Sequence, residues 1–285
     1  FKRMIRSCPD VNNWIIPLSG GHDSRLIINY LYRLGCKNVI CFSYGISSSK
    51  EAKYSKQAAE ALGYKWYFVE YNSRDWEKLH KSGLFSKYIN YSFNGCCLPH
   101  AQDLLAVDIL KRNAIINERD VLVPGHTAFT EAENILVKEL SDNEQSLRYV
   151  YNKYYNLFLC SKRYSAFEPL LKSLLKEGNQ NINSFPEYFN WQERQAKYIT
   201  YRVRVYEFYG LRWRIPFWEK HVIDFWQNLD FDDRIQRKIL FRAFNVCLVD
   251  SALKNIPVID KYKKPKISKI HSLGFLRTEL ASMLV

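Results

Sequence analysis

Residues 17–27 read PLSGGHDSRLI, with two adjacent glycines between two serines. An apolar run, NWIIPL at 13–18, leads into it, and DSRLIINYLYRL at 23–34 follows with apolar residues at helical spacing. The pattern predicts a buried strand, a glycine turn and a helix. Asp23 or Ser24 is the expected N-cap of that helix, because short polar side chains satisfy the first amides of a helix.

The same alternation continues along the first half of the chain. Further strands are predicted at 38–45, 65–71 and 120–126, and further helices at 50–63 and 100–112. Strands that alternate with helices predict an α/β fold with a mostly parallel twisted sheet and flanking helices. Such sheets bind ligands beyond the carboxyl ends of their strands, where both the glycine turn and a later Pro-Gly turn would lie.

The second half of the chain has a different pattern. After about residue 140, aromatic-rich segments with helical spacing dominate, such as SLRYVYNKYYNLFL at 146–159. We therefore predict an α/β domain at 1–140 and a helical subdomain at 141–285.

The composition is that of a folded, basic protein. Hydrophobic residues make up 47% and aromatic residues 15% of the 285 positions, which excludes a disordered chain. The net charge of +13 suits a nucleic acid, a polyphosphate ligand or an anionic membrane surface, and equally a basic protein with none of these. The basic residues are spread out, so we do not expect a nucleic-acid partner. The densest basic cluster is KYKKPKISK at 261–269.

The cysteines and the hydropathy indicate the compartment. None of the seven cysteines forms a CxxC pair, a pattern that fits neither a zinc site nor a disulfide framework. No apolar run reaches the roughly 18 residues of a membrane helix, and no signal peptide is apparent. We therefore expect reduced thiols in a cytoplasmic protein without a membrane span.

The glycine turn has the chemistry of an anion cradle. Gly20 and Gly21 lack Cβ and permit positive φ, Ser19 and Ser24 offer hydroxyl groups, and a helix N-terminus adds amides and partial positive charge. Asp23 would repel phosphate unless magnesium bridges the two. The Walker A pattern is absent. The alternative interpretation is a tight turn with an N-cap and no ligand.

SGGHDS at 19–24 resembles the PP-loop motif SGGxDS of the N-type ATP pyrophosphatases. RWRIPFWEKHVIDF at 212–225 and RKILFRAFN at 237–245 are similar to the carboxyl-terminal domain of asparagine synthetases. The resemblance, closest to asparagine synthase-like proteins of bacterial surface-polysaccharide clusters, implies an adenine nucleotide alpha hydrolase-like fold. It also implies an ATP- and Mg²⁺-dependent amidotransferase or amide-forming ligase. Such an enzyme would activate a carboxylate, aspartate or a sugar uronic acid, as an acyl-adenylate and release pyrophosphate.

The resemblance also implies roles for individual residues. Nucleotide binding falls to Ser19, Gly20, Gly21, His22, Asp23, Ser24, Ser43, Tyr44, Gly125 and His126. Magnesium binding falls to Asp23, and catalysis to Asp23, Glu207 and Lys264.

Some positions depart from the family pattern. PGHTAFTE at 124–131 keeps Gly125 of the family's second loop, GxGxDE, but lacks its acidic pair, which His126, Thr127 or Glu131 would have to replace. Arg212 stands where the family has its catalytic glutamate, and Glu207 is the nearby substitute.

Other interpretations stay open. Because the sequence contains no glutaminase domain, ammonia, a separate glutaminase or an amine substrate would supply nitrogen. A tRNA-modifying PP-loop enzyme and a non-catalytic nucleotide-binding protein are the alternative functions. His22, His100 and His126 could gather at strand ends for acid–base chemistry or fill separate structural roles.

Overall fold

The computed structural model describes residues 1–126, 142–155, 164–177, 184–234, 238–248 and 251–259. Five parallel strands form one sheet in the order β3-β2-β1-β4-β5. The strands are β1 (Trp14–Pro17), β2 (Val39–Gly45), β3 (Lys65–Glu70), β4 (Val121–Leu122) and β5 (Arg212–Trp213). The predicted α/β class with a parallel sheet is confirmed.

Helices flank and follow the strands. They are α1 (Lys2–Arg6), α2 (His22–Arg33), α3 (Lys50–Ala61), α4 (Ser73–Lys81), α5 (Leu84–Ser92), α6 (Leu104–Arg112), α7 (Asn143–Tyr154), α8 (Tyr164–Glu177), α9 (Phe185–Phe189), α10 (Arg204–Phe208), α11 (Lys220–Gln227), α12 (Phe231–Arg234) and α13 (Lys238–Leu248). A π-helix spans Asn190–Ile199, and 3₁₀ turns span Thr200–Val203 and Pro216–Trp218. No helix among these described residues is long and apolar enough to cross a membrane.

The central strand β1 fixes the position of its neighbours. Trp14 pairs with Val39 of β2 on one side and with Val121 of β4 on the other. Ile15 and Ile16 of β1 are fully buried, as expected for a parallel strand covered on both faces. The carboxyl ends of β1, β2 and β4 therefore lie side by side at one edge of the sheet.

The ends of the predicted helices were partly wrong. Helix α2 begins at His22, and its N-cap is Gly21, which offers no side-chain cap, rather than Asp23 or Ser24. The Ser24 hydroxyl instead lies 3.1 Å from the Ser19 amide and accepts its hydrogen bond. The hydroxyl expected to cap the helix is thus used to close the turn.

The sequence patterns also missed several elements. Helices α4 and α5 fill the connection after β3, and β5 lies in a part of the chain predicted to be helical. Two residues of β5 pair with Val121 and Leu122 of β4, so tertiary pairing and not local periodicity defines this strand.

The chain divides into two compact units. The first comprises Phe1–Ala128, Lys197–Phe225 and Phe241–Lys261, and the second comprises Phe129–Ala196, Trp226–Leu240 and Tyr262–Val285. The first unit has a core that joins the sheet to α6 and α10, with Ile15, Phe42, Leu105 and Tyr206 among its buried members. The second has its own aromatic-rich core. The domain boundary at residue 140 stays a prediction.

Asp120 ties the start of β1 to the start of β4. Its carboxylate is fully buried and accepts from the Asn13 amide at 3.0 Å, from the Asn13 side chain at 2.9 Å and from the Asn117 amide at 2.8 Å. The charge is satisfied by these donors, since buried carboxylates are costly without them.

We expect Asp120→Ala to lower the free energy of unfolding by about 3 kcal/mol, because it leaves buried donors without an acceptor. Urea denaturation at pH 7 measures the change. Glu60→Ala is the control, since its exposed pair with Lys56, at 3.7 Å, should contribute less than about 0.5 kcal/mol. Equal losses in the two variants would contradict the role given to Asp120.

Candidate functional site

Two serines close the turn between β1 and α2. The hydroxyl groups of Ser19 and Ser24 lie 3.2 Å apart, and the Gly21 amide donates to the Ser19 hydroxyl at 3.2 Å. Together with the bond from the Ser19 amide to Ser24, these contacts hold residues 19–24 as a closed loop, which we call the glycine loop.

The two glycines of this loop do not have the predicted conformation. Neither is among the glycines with positive φ, and Gly21 is extended, with φ −83° and ψ −173°. A Cβ on Gly20 would meet Ile259 Cδ1 at 2.8 Å, closer than Cβ atoms come in folded proteins. A side chain at position 20 would therefore force the Ile259 side chain to move.

Helix α2 presents its N-terminus to the glycine loop. The helix has 12 residues and no side-chain cap, so its positive dipole end lies directly behind the loop. Asp23 lies in the first turn of this helix. His22 packs edge-on against Phe244, with ring centroids 4.4 Å apart, and this contact gives it a structural role in the described chain.

The turn after β4 reaches the same place. A Cβ on Gly125 would lie 3.0 Å from the Ser24 amide nitrogen and 3.3 Å from Asp23 Cβ. The structure therefore brings the predicted second loop against the glycine loop, so closely that a Cβ at position 125 would require the glycine loop to shift by a few tenths of an ångström. His126 follows directly, while Thr127, Glu131 and Lys264 lie outside the described residues.

The end of β2 uses its side chains within the protein. The Ser43 hydroxyl lies 2.6 Å from the Leu18 carbonyl oxygen and accepts from Trp66 Nε1 at 3.1 Å. The Tyr44 hydroxyl donates to Asp103 at 2.6 Å, and its ring stacks on Tyr71 at 5.0 Å. Neither hydroxyl points to a ligand role of its own, and binding of adenine by this strand end stays a prediction.

A buried polar cluster behind this edge was missed from the sequence. Asp103, 4% exposed, accepts from the hydroxyl groups of Tyr44 and Tyr206, the latter at 3.0 Å. Burial alone would raise the pKa of Asp103, but His100, Tyr44, His126 and Arg202 act against it and hold the pKa below its ordinary value. The sequence suggested that histidines could gather here but not Asp103, because a lone Asp before a helix looks like an ordinary N-cap.

Two of the three predicted histidines belong to this cluster. Burial, followed by the charge of Arg202, lowers the pKa of His100 to about 4 and that of His126 to about 3. Both rings are therefore neutral near pH 7. The described ring contact of His22 is instead with Phe244.

A cavity of about 470 Å³ opens beside β5. Glu207 lies in its wall, paired with Arg204 and accepting from Trp213 Nε1 at 3.0 Å. Arg214 also lines the cavity. Its guanidinium donates to the Ser7 hydroxyl at 3.3 Å and to the Trp213 carbonyl at 2.8 Å, with no carboxylate partner in the part of the chain described.

Arg212, at the position of the family glutamate, faces another group. It forms a salt bridge with Asp10 at 3.0 Å and donates to the Arg119 carbonyl oxygen at 2.6 Å. These contacts give Arg212 a role in holding the edge of the sheet, and it does not line the cavity that contains Glu207.

The two neutral histidines predict a loss of stability in acid. Their pKa values in the folded protein lie below the ordinary 6.5, so protonation favours the unfolded chain as the pH falls from about 6.5 to about 4. We expect urea denaturation to show a drop of roughly 3 kcal/mol for each histidine across this window, about 6 kcal/mol for the pair. His100→Gln with His126→Gln should flatten it, whereas His80→Gln, at an exposed position, should not. An unchanged slope in the double variant would assign the drop to other groups.

Comparison with known proteins identifies the segment that carries the glycine loop. Residues 15–84 match the family described as Asparagine synthase. No curated protein matches the chain.

Two solved structures are similar in part. A predicted subunit of tRNA methyltransferase from Methanocaldococcus jannaschii is 20% identical over 50% of this chain and 64% of its own, with a TM-score of 0.25. The chain thus spans less than two thirds of that protein. An NH3-dependent NAD synthetase from Campylobacter jejuni is 13% identical over 69% of this chain and 91% of its own, with a TM-score of 0.34. At these TM-scores neither likeness bears on function.

The family match covers β1 to β3, the glycine loop and helices α2 to α4. This segment is therefore similar to the Asparagine synthase family, over about a quarter of the chain.

Proposed function

We propose that the protein is an ATP-dependent amide-forming ligase. It binds ATP at the glycine loop, activates a carboxylate as an acyl-adenylate with release of pyrophosphate, and transfers the acyl group to nitrogen. The observation that carries the proposal is the glycine loop itself. It lies at the carboxyl end of the central strand within the asparagine synthase match, and Gly125 packs against it.

The loop offers what a pyrophosphate group needs. The hydroxyl groups of Ser19 and Ser24, the backbone amides of the loop and the dipole of α2 support the proposal of a bound anion. The positive net charge of the chain favours the same ligand.

Asp23 is the residue that would hold magnesium. In the described part of the chain no group of three His, Cys, Asp or Glu side chains could bind a metal ion. Magnesium bound to nucleotides commonly takes one or two carboxylates, with phosphate oxygens and water completing its shell. One carboxylate beside a phosphate loop fits that donor set, and the ion would neutralise charge on the departing pyrophosphate.

Lys264 is the proposed cation for the same group. Ile259, five residues earlier, lies against Gly20. Lys264 itself lies outside the described residues, and its proposed role rests on the basic cluster at 261–269. Ser43 and Tyr44, at the end of β2, are the proposed neighbours of adenine.

The cavity beside β5 is the proposed site for the carboxylate substrate. Neighbouring strands lie about 4.8 Å apart, so the ends of β1 and β5, separated by β4, are about 10 Å apart. That separation suits a substrate next to the α-phosphate. Arg214 offers a guanidinium with no carboxylate partner among the described residues, and Glu207 holds Arg204 in the same wall.

The proposed chemistry has two displacements. A substrate carboxylate oxygen attacks the α-phosphorus and pyrophosphate leaves. Ammonia or an amine then attacks the acyl carbon, AMP leaves, and the nitrogen loses a proton. The protein contributes by holding both reactants in line and by stabilising the charge on the leaving pyrophosphate.

The first test is pyrophosphate release. With ATP, Mg²⁺, ammonia and a panel of carboxylates that includes aspartate and uronic acids, we expect the wild type to release pyrophosphate. Asp23→Asn should reduce the rate about 100-fold, because it removes a charge that acts in the transition state. Asp75→Asn is the matched control, since Asp75 lies in the first turn of α4.

The outcome separates the alternatives. ATP binding without pyrophosphate release, with or without an added glutaminase, would favour the non-catalytic nucleotide-binding protein. Strongly salt-dependent binding of tRNA would favour the tRNA-modifying enzyme.

The second test concerns the cavity. Arg214→Met should raise the KM for the carboxylate about tenfold and leave the KM for ATP unchanged, because one charge-assisted hydrogen bond is lost. Steady-state kinetics with each substrate varied in turn measure both constants. Arg6→Met, at an exposed position, is the control. A change in the KM for ATP alone would contradict the proposal that the carboxylate substrate binds in this cavity.

A further inference from the structure

A buried arginine follows the glycine loop. Arg25 is fully buried, and its guanidinium donates to the carbonyl oxygens of Ile256 at 2.8 Å and Pro257 at 2.5 Å. Burial lowers its pKa to about 10, so it stays a cation at neutral pH. Its described contacts include no carboxylate.

Arg25 anchors a remote segment, residues 251–259, which we call the strap. The Ser251 hydroxyl donates to Asn29 Oδ1 at 2.7 Å, and Asn29 Nδ2 donates to the Cys247 carbonyl oxygen at 3.0 Å. Arg25 and Asn29 lie four residues apart, on one face of α2. One helix face therefore holds the strap at its first residue, Ser251, and again at Ile256 and Pro257.

The strap ends on Gly20. The Ile259 amide donates to the Gly20 carbonyl oxygen at 2.9 Å, and the Ile259 side chain occupies the space that a Cβ at position 20 would need. The nearest Ile259 atom lies 2.8 Å from that Cβ position, while the next neighbour, Glu51 Cα, lies at an ordinary 3.5 Å.

The peptide group between Gly20 and Gly21 is thereby held at both ends. Its carbonyl oxygen accepts from Ile259, and its N–H donates to the Ser19 hydroxyl. In a trans peptide these two groups point in opposite directions. A flip of the plane would break both bonds and turn a carbonyl oxygen toward the inside of the loop, where it would repel an anion.

We propose that the strap keeps the glycine loop in its anion-binding conformation, and that Arg25 and Ile259 are positioning residues for phosphate. The identity of the anion rests on the proposed function, but the coupling of strap and loop does not. In this proposal, glycine at position 20 leaves room for the Ile259 side chain. The orientation of the peptide between Gly20 and Gly21 is what favours binding of the anion.

A double-mutant cycle between positions 20 and 259 tests the proposal. The probe is inorganic pyrophosphate with Mg²⁺, measured by calorimetry at one salt concentration. Gly20→Ala should weaken binding about tenfold, because the new Cβ displaces the strap. In the Ile259→Ala background the same substitution should cost less than about threefold. Ile256→Ala, also in the strap but away from Gly20, should not rescue Gly20→Ala.

One outcome of this cycle would contradict the proposal. If Gly20→Ala is as harmful with Ala at position 259 as with Ile, the Cβ obstructs the ligand and not the strap, and the proposal is overturned. Unfolding midpoints of all four proteins show whether the losses merely follow stability.

Hydrogen exchange separates this inference from the proposed function. Ile259→Pro removes the donor to Gly20, so the Gly21 amide should exchange about tenfold faster, and Arg25→Met should act in the same direction. Unchanged exchange in both variants overturns the strap's role, whatever the protein binds. A wild type that binds neither pyrophosphate nor ATP, with exchange that responds as expected, overturns the proposed function alone.

Discussion

The structure of the site depends on the pairing of β1 with a parallel strand on each side. Because β2 and β4 both take their register from β1, the residues that follow these three strands emerge at the same edge of the sheet. Val123 continues this pairing with a bond from its amide to the Ile15 carbonyl oxygen at 2.9 Å. The approach of Gly125 to Ser24 follows from that register, because the turns after β1 and β4 leave adjacent strands at the same end.

Three charged residues lie near this edge of the sheet. Asp23 lies in the first turn of α2, and Arg25 is buried as a cation with carbonyl partners only. Asp103 is matched by the nearby charge of Arg202 and by two tyrosine hydroxyls. The charge of the buried acid is therefore offset within its own surroundings.

The sequence predicted the first three strands and the helices between them to within a few residues. Those elements have strong periodicity and end in glycine turns, so local signals determine them. The predicted N-cap of α2 was wrong because the Ser24 hydroxyl accepts a hydrogen bond from the Ser19 amide across the loop. Helix propensities do not include such a contact. The short strand β5 was missed because two residues carry no period, and its pairing with β4 defines it.

Only the part of the site formed by consecutive residues could be predicted from the sequence. SGGHDS identified the loop, but Arg25 and Asn29, four residues apart with Arg33 after them, look in sequence like the solvated stripe of an amphipathic helix. The segment that covers this stripe comes from beyond residue 246, more than 200 residues away, and no periodicity links the two. Asp103 was hidden for the same reason, since its partners Tyr44 and Tyr206 come from distant parts of the chain.

Gly20 shows that a motif position can have a structural reason that the motif itself does not reveal. A glycine in a phosphate loop is usually attributed to positive φ or to the approach of the ligand, and Gly20 has no positive φ. The position of its missing Cβ is filled by Ile259, from a segment outside the 15–84 family match. The loop and its remote support are therefore one structural unit, and a substitution at either position changes the free energy of the same peptide conformation.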